Sequence, residues 1–359
     1  MSETTISQTS QQESTGGLMK AVVCERYGAP NVLEIKQVEK PVPLDDEVFV
    51  KIYAASVNPA DYYSMNGMAR LMGNGIRKPK NPVMGTDFAG RIEATGGKVT
   101  QFHVGEEVFG GCKTGSYTEY GCAREMRIAL KPKNMSLEEA AGIPIAGLTA
   151  LQALRDHGQL QPGQKVLING ASGGVGTFAV QIAKALGAEV TAVCSSGNLE
   201  MVRSLGANHV IDYTKEDFAK IDERYDLICD IAATHRVSDY KRLLNPKGIF
   251  VLVGAPKNPL RNVIYYIVAG RLRFRGDKKF KFFIAKNTTK DLEFLKELAE
   301  NGKLRTVIDR RYPLDEVPDA MRYWTKKHTR GKIIINVTEA SQDRHTEPVF
   351  TGVGWTVRF

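Results

Sequence analysis

The sequence predicts an α/β protein that combines a doubly wound parallel sheet with a second, smaller unit rich in β-strands. After about residue 165, short apolar runs alternate with helical segments, which is the pattern of successive βαβ units. Between residues 19 and 133, strand-like runs are separated by Gly and Pro, which favours an all-β unit with long loops. The length of 359 residues also exceeds what one hydrophobic core organises, so two domains are expected.

Each predicted element follows from a local pattern. Order is expected to begin with the apolar run at residues 19–23, and Ser136 with Glu139 forms a capping box that marks a helix start. The predicted strands are Glu47–Ile52, Val83–Ile92, Lys165–Asn169, Glu189–Cys194, His209–Asp212, Asp226–Asp230, Gly248–Gly254 and Lys332–Val337. The predicted helices of the second half are a segment that ends near Leu186, Leu199–Leu205 and Leu292–Gly302.

The composition is that of an ordinary globular protein, with 42% hydrophobic and 25% charged residues. The net charge of +9 suits an anionic ligand, but no arginine-rich arm or zinc-finger spacing is present, so nucleic-acid binding is not expected. No apolar run approaches the length of a membrane span, so stable membrane insertion is not expected. The basic segment Arg271–Lys281 is interpreted as a solvated surface; contact with a cofactor phosphate or an acidic lipid is the alternative.

The cysteines and the termini bear on the compartment. The five cysteines are odd in number and include no C-x-x-C pair, which indicates reduced thiols and a cytoplasmic protein. Residues 1–17 are rich in Ser, Thr and Gln and lack an apolar run, so a disordered tail is predicted there rather than a targeting signal. The C-terminal extension, residues 338–359, is polar and is expected to hold little regular structure.

A glycine-rich turn between a buried strand and an amphipathic helix is the most informative local motif. Its residues are Ala171-Ser172-Gly173-Gly174-Val175-Gly176. A pyrophosphate needs close approach to backbone N–H groups, which a Cβ would block, and a helix N-terminus favours its negative charge. Gly173 and Gly174 are therefore predicted to admit a pyrophosphate, and Gly176 to let the helix pack on the strand. The turn predicts a dinucleotide site, and a purely structural turn is the alternative.

The end of the next strand favours NADP(H) over NAD(H). A carboxylate there would bind the adenosine ribose hydroxyls of NAD and repel a 2′-phosphate. The chain instead has Cys194-Ser195-Ser196-Gly197-Asn198 at this point. Ser195 and Ser196 are therefore predicted to leave room for the 2′-phosphate, and NAD(H) is the alternative.

Several further motifs occur in a fixed order along the chain. They are Ala55-Ser56-Val57-Asn58-Pro59-Ala60-Asp61, Gly85-Thr86-Asp87-Phe88-Ala89-Gly90, Val104-Gly105-Glu106-Glu107-Val108-Phe109-Gly110, Gly115-Ser116-Tyr117-Thr118-Glu119-Tyr120, Ala146-Gly147-Leu148-Thr149-Ala150, Leu205-Gly206-Ala207, Val210-Ile211-Asp212-Tyr213 and Arg330-Gly331-Lys332-Ile333. With these motifs, residues 19–337 resemble the medium-chain dehydrogenase/reductase superfamily, in its zinc-independent quinone oxidoreductase-like branch.

The resemblance implies the domain organisation. A GroES-like catalytic domain is expected from residues 18–143 and 284–337, and a Rossmann dinucleotide-binding domain, residues 144–283, is expected to be inserted into it. The active site is expected in the cleft between the two domains. The resemblance also implies a homodimer.

The resemblance also bears on zinc. Zinc-dependent members of the superfamily place a Cys, a His and a Cys at positions that align with Asn58, Thr86 and Ala146. None of these residues supplies a thiolate or an imidazole, so no zinc is expected. A substrate carbonyl must then be polarised by hydrogen bonds or water, which favours quinones and α,β-unsaturated carbonyls over simple alcohols.

The substrate side of the cleft is expected to include Asn58, Asp61 and Tyr62 as catalytic candidates. The Asn58 amide would donate to a substrate oxygen, Asp61 would orient Asn58 or a water, and the Tyr62 phenol would serve as a donor. Loop capping beside proline and aromatic packing are the alternatives. Hydride transfer itself needs no protein nucleophile, because the cofactor carries that chemistry.

The cofactor side is assigned by the same resemblance. Thr149 is expected to contact the nicotinamide, Gly254 and Ala255 to form a loop near it, and Tyr213 to lie beside the adenosine ribose phosphate. A lysine that grips the 2′-phosphate in several relatives is replaced here by Asn198. Arg203 or Lys215 are the candidates to compensate, and a solvated helix or loop charge is the alternative for both. The alternatives for the other positions are a plain helix residue at Thr149, a strand-end aromatic at Tyr213 and a strand-ending turn at Gly254 and Ala255.

The sequence therefore predicts a zinc-independent, NADPH-dependent oxidoreductase that transfers hydride to a quinone or an α,β-unsaturated carbonyl. A zinc-free dehydrogenase or reductase of another small carbonyl or alcohol is one alternative, and a non-catalytic NADP-binding relative is another. The segments at about residues 65–80 and 257–286 are interpreted as loops that decide the substrate, which the sequence does not identify.

Overall fold

Two large sheets organise the chain in the computed structural model, which describes residues 17–72, 74–254, 259–274, 276–326 and 329–338. The strands are β1 Leu18–Cys24, β2 Leu33–Glu39, β3 Glu47–Ser56, β4 Asp87–Thr95, β5 Glu107–Gly111, β6 Tyr120–Arg124, β7 Ile128–Leu130, β8 Lys165–Asn169, β9 Glu189–Cys194, β10 His209–Asp212, β11 Tyr225–Asp230, β12 Leu244–Leu252, β13 Lys279–Phe282, β14 Ile308–Pro313 and β15 Lys332–Asn336. The α-helices are α1 Pro59–Met65, α2 Leu137–Ala141, α3 Pro144–Gln152, α4 Gly174–Ala185, α5 Leu199–Ser204, α6 Val237–Leu243, α7 Pro259–Arg273, α8 Thr289–Glu300 and α9 Val317–Lys326.

The first large sheet is parallel throughout and has the strand order β10-β9-β8-β11-β12-β13. Its central strand β8 is buried on both faces, with Val166, Leu167 and Ile168 fully inaccessible, as a sheet covered by helices on both sides requires. The order reverses beside β8, whose neighbours are β9 and β11. Ligands of doubly wound sheets bind at such a reversal, outside the carboxyl ends of the strands.

The second large sheet has the order β14-β15-β3-β4-β5-β7, and β6 pairs with β3. Its strands β3 to β7 come from residues 47–130, whereas β14 and β15 come from residues 308–336. The chain therefore leaves this sheet, forms the parallel sheet and returns. The predicted fold class, a Rossmann doubly wound sheet with a GroES-like β-rich domain, is confirmed.

Local signals explain the elements beside the cofactor turn. Gly173 is the extended N-cap of α4, and Gly187, at a φ of +81°, ends the helix by donating its N–H to the Lys184 carbonyl. The predicted capping box is confirmed at α2, where the Glu139 N–H donates to Ser136 Oγ over 3.2 Å and the Ser136 N–H to Glu139 Oε2 over 2.9 Å.

The interpretation of residues 257–286 as loop is wrong for most of the segment, which forms α7 and β13. The helix signal is weak because Gly270 lies inside α7, where glycine lowers helix propensity. That glycine has a packing reason, since a Cβ there would lie 2.7 Å from the Phe280 ring of β13. Helix α1 also forms in a stretch that was not predicted as helical.

Three expectations concern membrane insertion and the two termini. No helix of the described ranges is long and apolar enough to cross a bilayer. The predicted N-terminal tail, apart from Gly17, and the C-terminal extension, apart from Thr338, lie outside the described residues.

Candidate functional site

The glycine turn presents free backbone donors at the carboxyl end of β8. The Gly173 N–H donates back to the Gly170 carbonyl over 3.3 Å, and α4 begins at Gly174. The N–H groups of Gly174 and Val175 have no acceptor in the described part of the chain. The positive end of the α4 dipole and these donors are therefore available to an anion.

The glycines of the turn differ in what requires them. A Cβ on Gly176 would lie 2.1 Å from the Gly170 carbonyl oxygen, so close packing of α4 on β8 excludes any side chain. A Cβ on Gly173 would meet only that same oxygen, at 3.6 Å, which is an ordinary contact. Protein packing thus explains Gly176 and leaves Gly173 unexplained. The open space in front of Gly173 is where a bound pyrophosphate would require glycine.

The two serines of the loop after β9 (the serine loop), Ser195 and Ser196, differ in the hydrogen bonds that their hydroxyls make. Ser195 Oγ accepts from Asn198 Nδ2 over 3.0 Å, which leaves the Ser195 hydroxyl hydrogen free for a ligand. Ser196 Oγ donates to Asp212 Oδ2 over 2.5 Å and lies 2.9 Å from Thr214 Oγ1. These bonds from Ser196 and Thr214 hold the pKa of the Asp212 carboxyl below its ordinary value. Asn198, which replaces the expected lysine, is therefore a buried support for Ser195.

An arginine that sequence reasoning had not assigned to the cofactor lies beside the serine loop. A Cβ on Gly197 would lie 2.8 Å from Nη2 of Arg330, and the exposed guanidinium has no partner among the described residues. The two cations suggested earlier are occupied: Arg203 pairs with Glu200 over 2.5 Å, and Lys215 lies 3.9 Å from Asp212. The motif that contains Arg330 was recognised, but its neighbour lies 133 positions earlier in the chain, which no local pattern shows.

The remaining cofactor candidates are placed as follows. Tyr213 follows β10, donates its N–H to the Cys194 carbonyl over 3.1 Å and has a 49% exposed side chain. Thr149 is half-buried on α3, on the same face as Ile145 four residues earlier. A Cβ on Gly254 would lie 1.7 Å from the Ile231 carbonyl oxygen, so glycine is required there by contact with the end of β11. Ala255 lies outside the described residues.

Asn58 and Asp61 lie together in a buried polar cluster at the start of α1 and are 1% and 2% exposed. Asn58 Nδ2 donates to Asp87 Oδ2 over 2.9 Å and to the Ser56 carbonyl over 3.3 Å. Asn58 Oδ1 accepts from Lys332 Nζ over 2.6 Å. Both amide hydrogens are therefore engaged, and the predicted donation to a substrate oxygen has no free hydrogen in this arrangement.

The Asp61 carboxylate is also hydrogen-bonded within the cluster, whereas the Tyr62 hydroxyl makes no hydrogen bond to a described residue. The Asp61 carboxylate accepts from the Asn58 N–H over 2.8 Å, Thr86 Oγ1 over 2.8 Å and the Tyr117 hydroxyl over 3.0 Å. Burial raises the pKa of Asp61, although these bonds oppose the shift. The half-buried Tyr62 ring packs 5.3 Å from Trp324, centroid to centroid, and its hydroxyl has no partner in the described ranges. Tyr62 is thus the predicted substrate-side residue whose donor is free.

Asp87 and Lys332 complete the cluster and were not predicted as site residues. Asp87 is fully buried; its Oδ2 also accepts the Ile145 N–H of α3 over 3.1 Å, and its Oδ1 has no partner among the residues that the structure describes. Burial raises the pKa of Asp87 to about 7, against the opposing charge of Lys332. Burial lowers the pKa of Lys332, against the attraction of Asp87 and Asp61.

The positions aligned with zinc ligands fall in this cluster. Asn58 and Thr86 both bond to Asp61, and Ala146 follows Ile145, the donor to Asp87. Their donor set is an amide, a hydroxyl and a methyl group, and the Lys332 ammonium already supplies a positive charge beside the carboxylates. No group of three His, Cys, Asp or Glu side chains in the described ranges is arranged to hold a metal. These residues do not fit a zinc ion.

Two family models match the chain. Residues 44–150 match the alcohol dehydrogenase GroES-like domain, and residues 205–335 match the zinc-binding dehydrogenase model. The two matches lie in the two large sheets described above, with the second extending into β14 and β15.

Individual proteins match over nearly the whole chain. A chloroplastic quinone-oxidoreductase of Triphysaria versicolor is 34% identical, over 89% of this chain and 99% of that protein. A chloroplastic NADPH-dependent alkenal/one oxidoreductase of Arabidopsis thaliana is 31% identical, over 88% of this chain and 79% of that protein. The structure of a quinone oxidoreductase from Coxiella burnetii superposes with a TM-score of 0.77 at 30% identity, over 90% of this chain and all of that one.

Proposed function

The chain belongs to the medium-chain dehydrogenase/reductase superfamily, in its quinone oxidoreductase-like branch, and from this premise we propose that it uses NADPH to reduce quinones or α,β-unsaturated carbonyls. It is an NAD(P)H-dependent oxidoreductase. The observation that carries the proposal is the turn at Gly173. It is open in front, it presents the N–H groups of Gly174 and Val175, which have no acceptor among the described residues, and it contacts the buried cluster through Lys332.

The preference for NADPH rests on the serine loop. No carboxylate ends β9, and within the described ranges the Ser195 hydroxyl hydrogen is free and the Arg330 guanidinium beside Gly197 has no acidic partner. A guanidinium binds a phosphate through charge-assisted bonds, which the ribose hydroxyl of NADH does not offer. Tyr213, exposed at the end of β10, is proposed to line the adenosine ribose side. NADH is the second candidate cofactor.

The residues of the chain bind and orient in this reaction. The nicotinamide, when bound, supplies the hydride, that is, a proton and two electrons delivered to carbon. We propose that the half-buried face of α3, with Ile145 and Thr149, and the loop at Gly254 and Ala255 hold the nicotinamide. The free Tyr62 hydroxyl is proposed to donate to the substrate oxygen, and a water proton completes the reduction. Asn58 and Asp61 support this site without touching the substrate.

Zinc is not part of the proposal, because the donor set at Asn58, Thr86 and Ala146 does not suit it. A substrate that already conjugates its carbonyl needs less polarisation, which supports quinones and enones over alcohols. The relatives named for quinones and for an alkenal/one point to the same acceptors.

We also propose a cytoplasmic homodimer. Strand β13 lies at the edge of its sheet, and its outer side pairs with no strand of the described ranges. Near it, Leu272, Phe282 and Ile284 are 57%, 40% and 65% exposed. Exposed apolar residues beside a free sheet edge favour pairing with a second copy. Light scattering on the purified chain measures the mass, and a monomer at micromolar concentration would contradict this point.

The test is NADPH oxidation over a panel of quinones and enones, repeated with NADH and after treatment with a metal chelator. The expected result is turnover with NADPH, weaker turnover with NADH and no effect of the chelator. NADPH binding without turnover on any acceptor would support the non-catalytic alternative instead. Loss of activity on chelation would overturn the zinc-free proposal.

A further inference from the structure

The start of β15 brings the GroES-like sheet into contact with the cofactor turn. The Gly331 N–H donates to the Ser172 carbonyl over 2.9 Å, and Gly331 and Gly173 form an isolated bridge. Gly331 has a φ of +80°, and a Cβ there would lie 2.2 Å from the Val307 carbonyl oxygen, so only glycine fits. The backbone at Gly331 is therefore held at a fixed distance from the backbone of the cofactor turn.

The Lys332 side chain extends this contact toward the substrate side. Its Cδ lies 3.2 Å from the position of a Cβ on Gly174, so the stem packs beneath the first turn of α4. Its ammonium donates to the Val57 carbonyl over 3.1 Å and to Asn58 Oδ1 over 2.6 Å. One side chain thus connects the cofactor turn to the turn that opens α1.

Burying this ammonium is costly unless it is paired and hydrogen-bonded. Lys332 is 3% exposed, and the carboxylates of Asp61 and Asp87 compensate its charge. Because Asn58 Oδ1 accepts from Lys332, the Asn58 amide has a fixed orientation, with Nδ2 toward Asp87. The residue that follows the engaged Asp61 in α1 is Tyr62.

We propose that Lys332 is a positioning residue, which holds the Asn58 turn and the first turn of α1 against the cofactor turn and thereby places Tyr62 for the substrate. The effect of Lys332 on catalysis rests on the proposed function. The structural link itself, from Gly174 through Lys332 to Asn58, is independent of the substrate.

Variants of Lys332 distinguish the loss of its buried charge from the loss of its contacts with Asn58 and Val57. Lys332→Met removes the ammonium and leaves two buried carboxylates uncompensated, which destabilises the fold whatever the role of Lys332 in positioning. The double variant Lys332→Met with Asp87→Asn removes one charge of each sign and avoids that imbalance. Lys131→Met is the matched control: Lys131 is also a mostly enclosed lysine of the GroES-like domain, with a 12% exposed side chain, and donates to the Met135 carbonyl over 2.6 Å.

The measurements are kcat with a quinone, NADPH affinity by fluorescence titration, and hydrogen–deuterium exchange of residues 58–66. In the double variant we expect kcat to fall about tenfold or more, because a small misplacement of a reacting group is enough for that loss. NADPH affinity should change by less than about threefold, since the free N–H groups of the turn remain. The amides of residues 58–66 should exchange faster, and Lys131→Met should behave as wild type.

Two results would overturn the inference. Unchanged kcat and unchanged exchange in the folded double variant would show that Lys332 does not hold the turn. A loss of NADPH affinity that accounts for the entire fall in activity would show that Lys332 serves the cofactor directly. If the wild-type chain does not turn over NADPH at all, the proposed function fails, and the exchange of residues 58–66 still decides the role of Lys332.

Discussion

Alanine at Gly173 should weaken cofactor binding without loss of stability, whereas alanine at Gly176 should destabilise the fold. At Gly173 the backbone is extended, with φ −80° and ψ 177°, and a Cβ meets nothing nearer than 3.6 Å. Alanine therefore fits, and the roughly 0.4–1 kcal/mol that it gains by lowering the entropy of the unfolded chain offsets the comparable cost of alanine at an N-cap. The same methyl group enters the space in front of the turn, where the pyrophosphate is proposed to lie.

The magnitudes follow from the two contacts. Displacing the pyrophosphate from the Gly174 and Val175 N–H groups removes charge-assisted bonds worth about 1.5–3 kcal/mol, which is about a tenfold to hundredfold loss of NADPH affinity. At Gly176 the Cβ would lie 2.1 Å from the Gly170 oxygen, more than an ångström too close. Overpacking of this kind costs about 1–3 kcal/mol, more than the roughly 1 kcal/mol that alanine gains in a helix.

The assay pairs calorimetric Tm with NADPH fluorescence titration on both variants. Gly173→Ala should keep Tm and lose affinity, whereas Gly176→Ala should lower Tm. Wild-type NADPH affinity in Gly173→Ala would refute the assignment of the turn to the pyrophosphate. If Tm fell as much in Gly173→Ala as in Gly176→Ala, the argument that a Cβ fits at Gly173 would be refuted.

Three further predictions concern single residues. Arg330→Ala should weaken NADPH binding about tenfold and leave NADH binding unchanged in titrations, with Arg203→Ala as the control; equal losses for both coenzymes would contradict a 2′-phosphate contact. Burial raises the pKa of Asp87 to about 7, so the folded chain retains a proton that the unfolded chain releases, and stability falls as pH rises from about 4 to about 7. Denaturant titrations of Asp87→Asn should therefore show stability relative to wild type increasing across that interval, and a pH-independent difference would be the contrary result. Thr149→Val should raise the NADPH KM about threefold to tenfold without changing Tm, and an unchanged KM would remove Thr149 from the nicotinamide site.

Local signals predicted the elements around the cofactor turn closely. Strands β8, β9 and β10 have the predicted bounds, because each is a short apolar run next to Gly, Asn or Asp. The capping box at Ser136 needed only four residues to be recognised. Helix α7 was missed because its evidence is tertiary: Gly270 weakens the helix locally and is explained only by the Phe280 ring on β13.

The site shows the same division between local and distant information. The family motifs predicted Asn58, Asp61 and Tyr62 as one group of site residues, and the structure places them at the N-cap and in the first turns of α1. The sequence did not show that the Asn58 amide is already engaged, because its partner Lys332 lies 274 positions away. Arg330 was missed for the same reason. Hydrogen-bond saturation and charge pairing depend on neighbours that only the folded chain brings together.

The pairing of β15 with β3 has a consequence for synthesis of the chain. Residues 54–56 find their partners at 334–336, so this part of the β3 edge stays open while the intervening 277 residues are translated, although β6 covers residues 47–51 of the same edge much earlier. At ordinary elongation rates of about 5–20 residues per second, that interval is about 15–60 s. The open part of the edge is only three residues long, which limits its use as a template for pairing with other chains until β15 arrives.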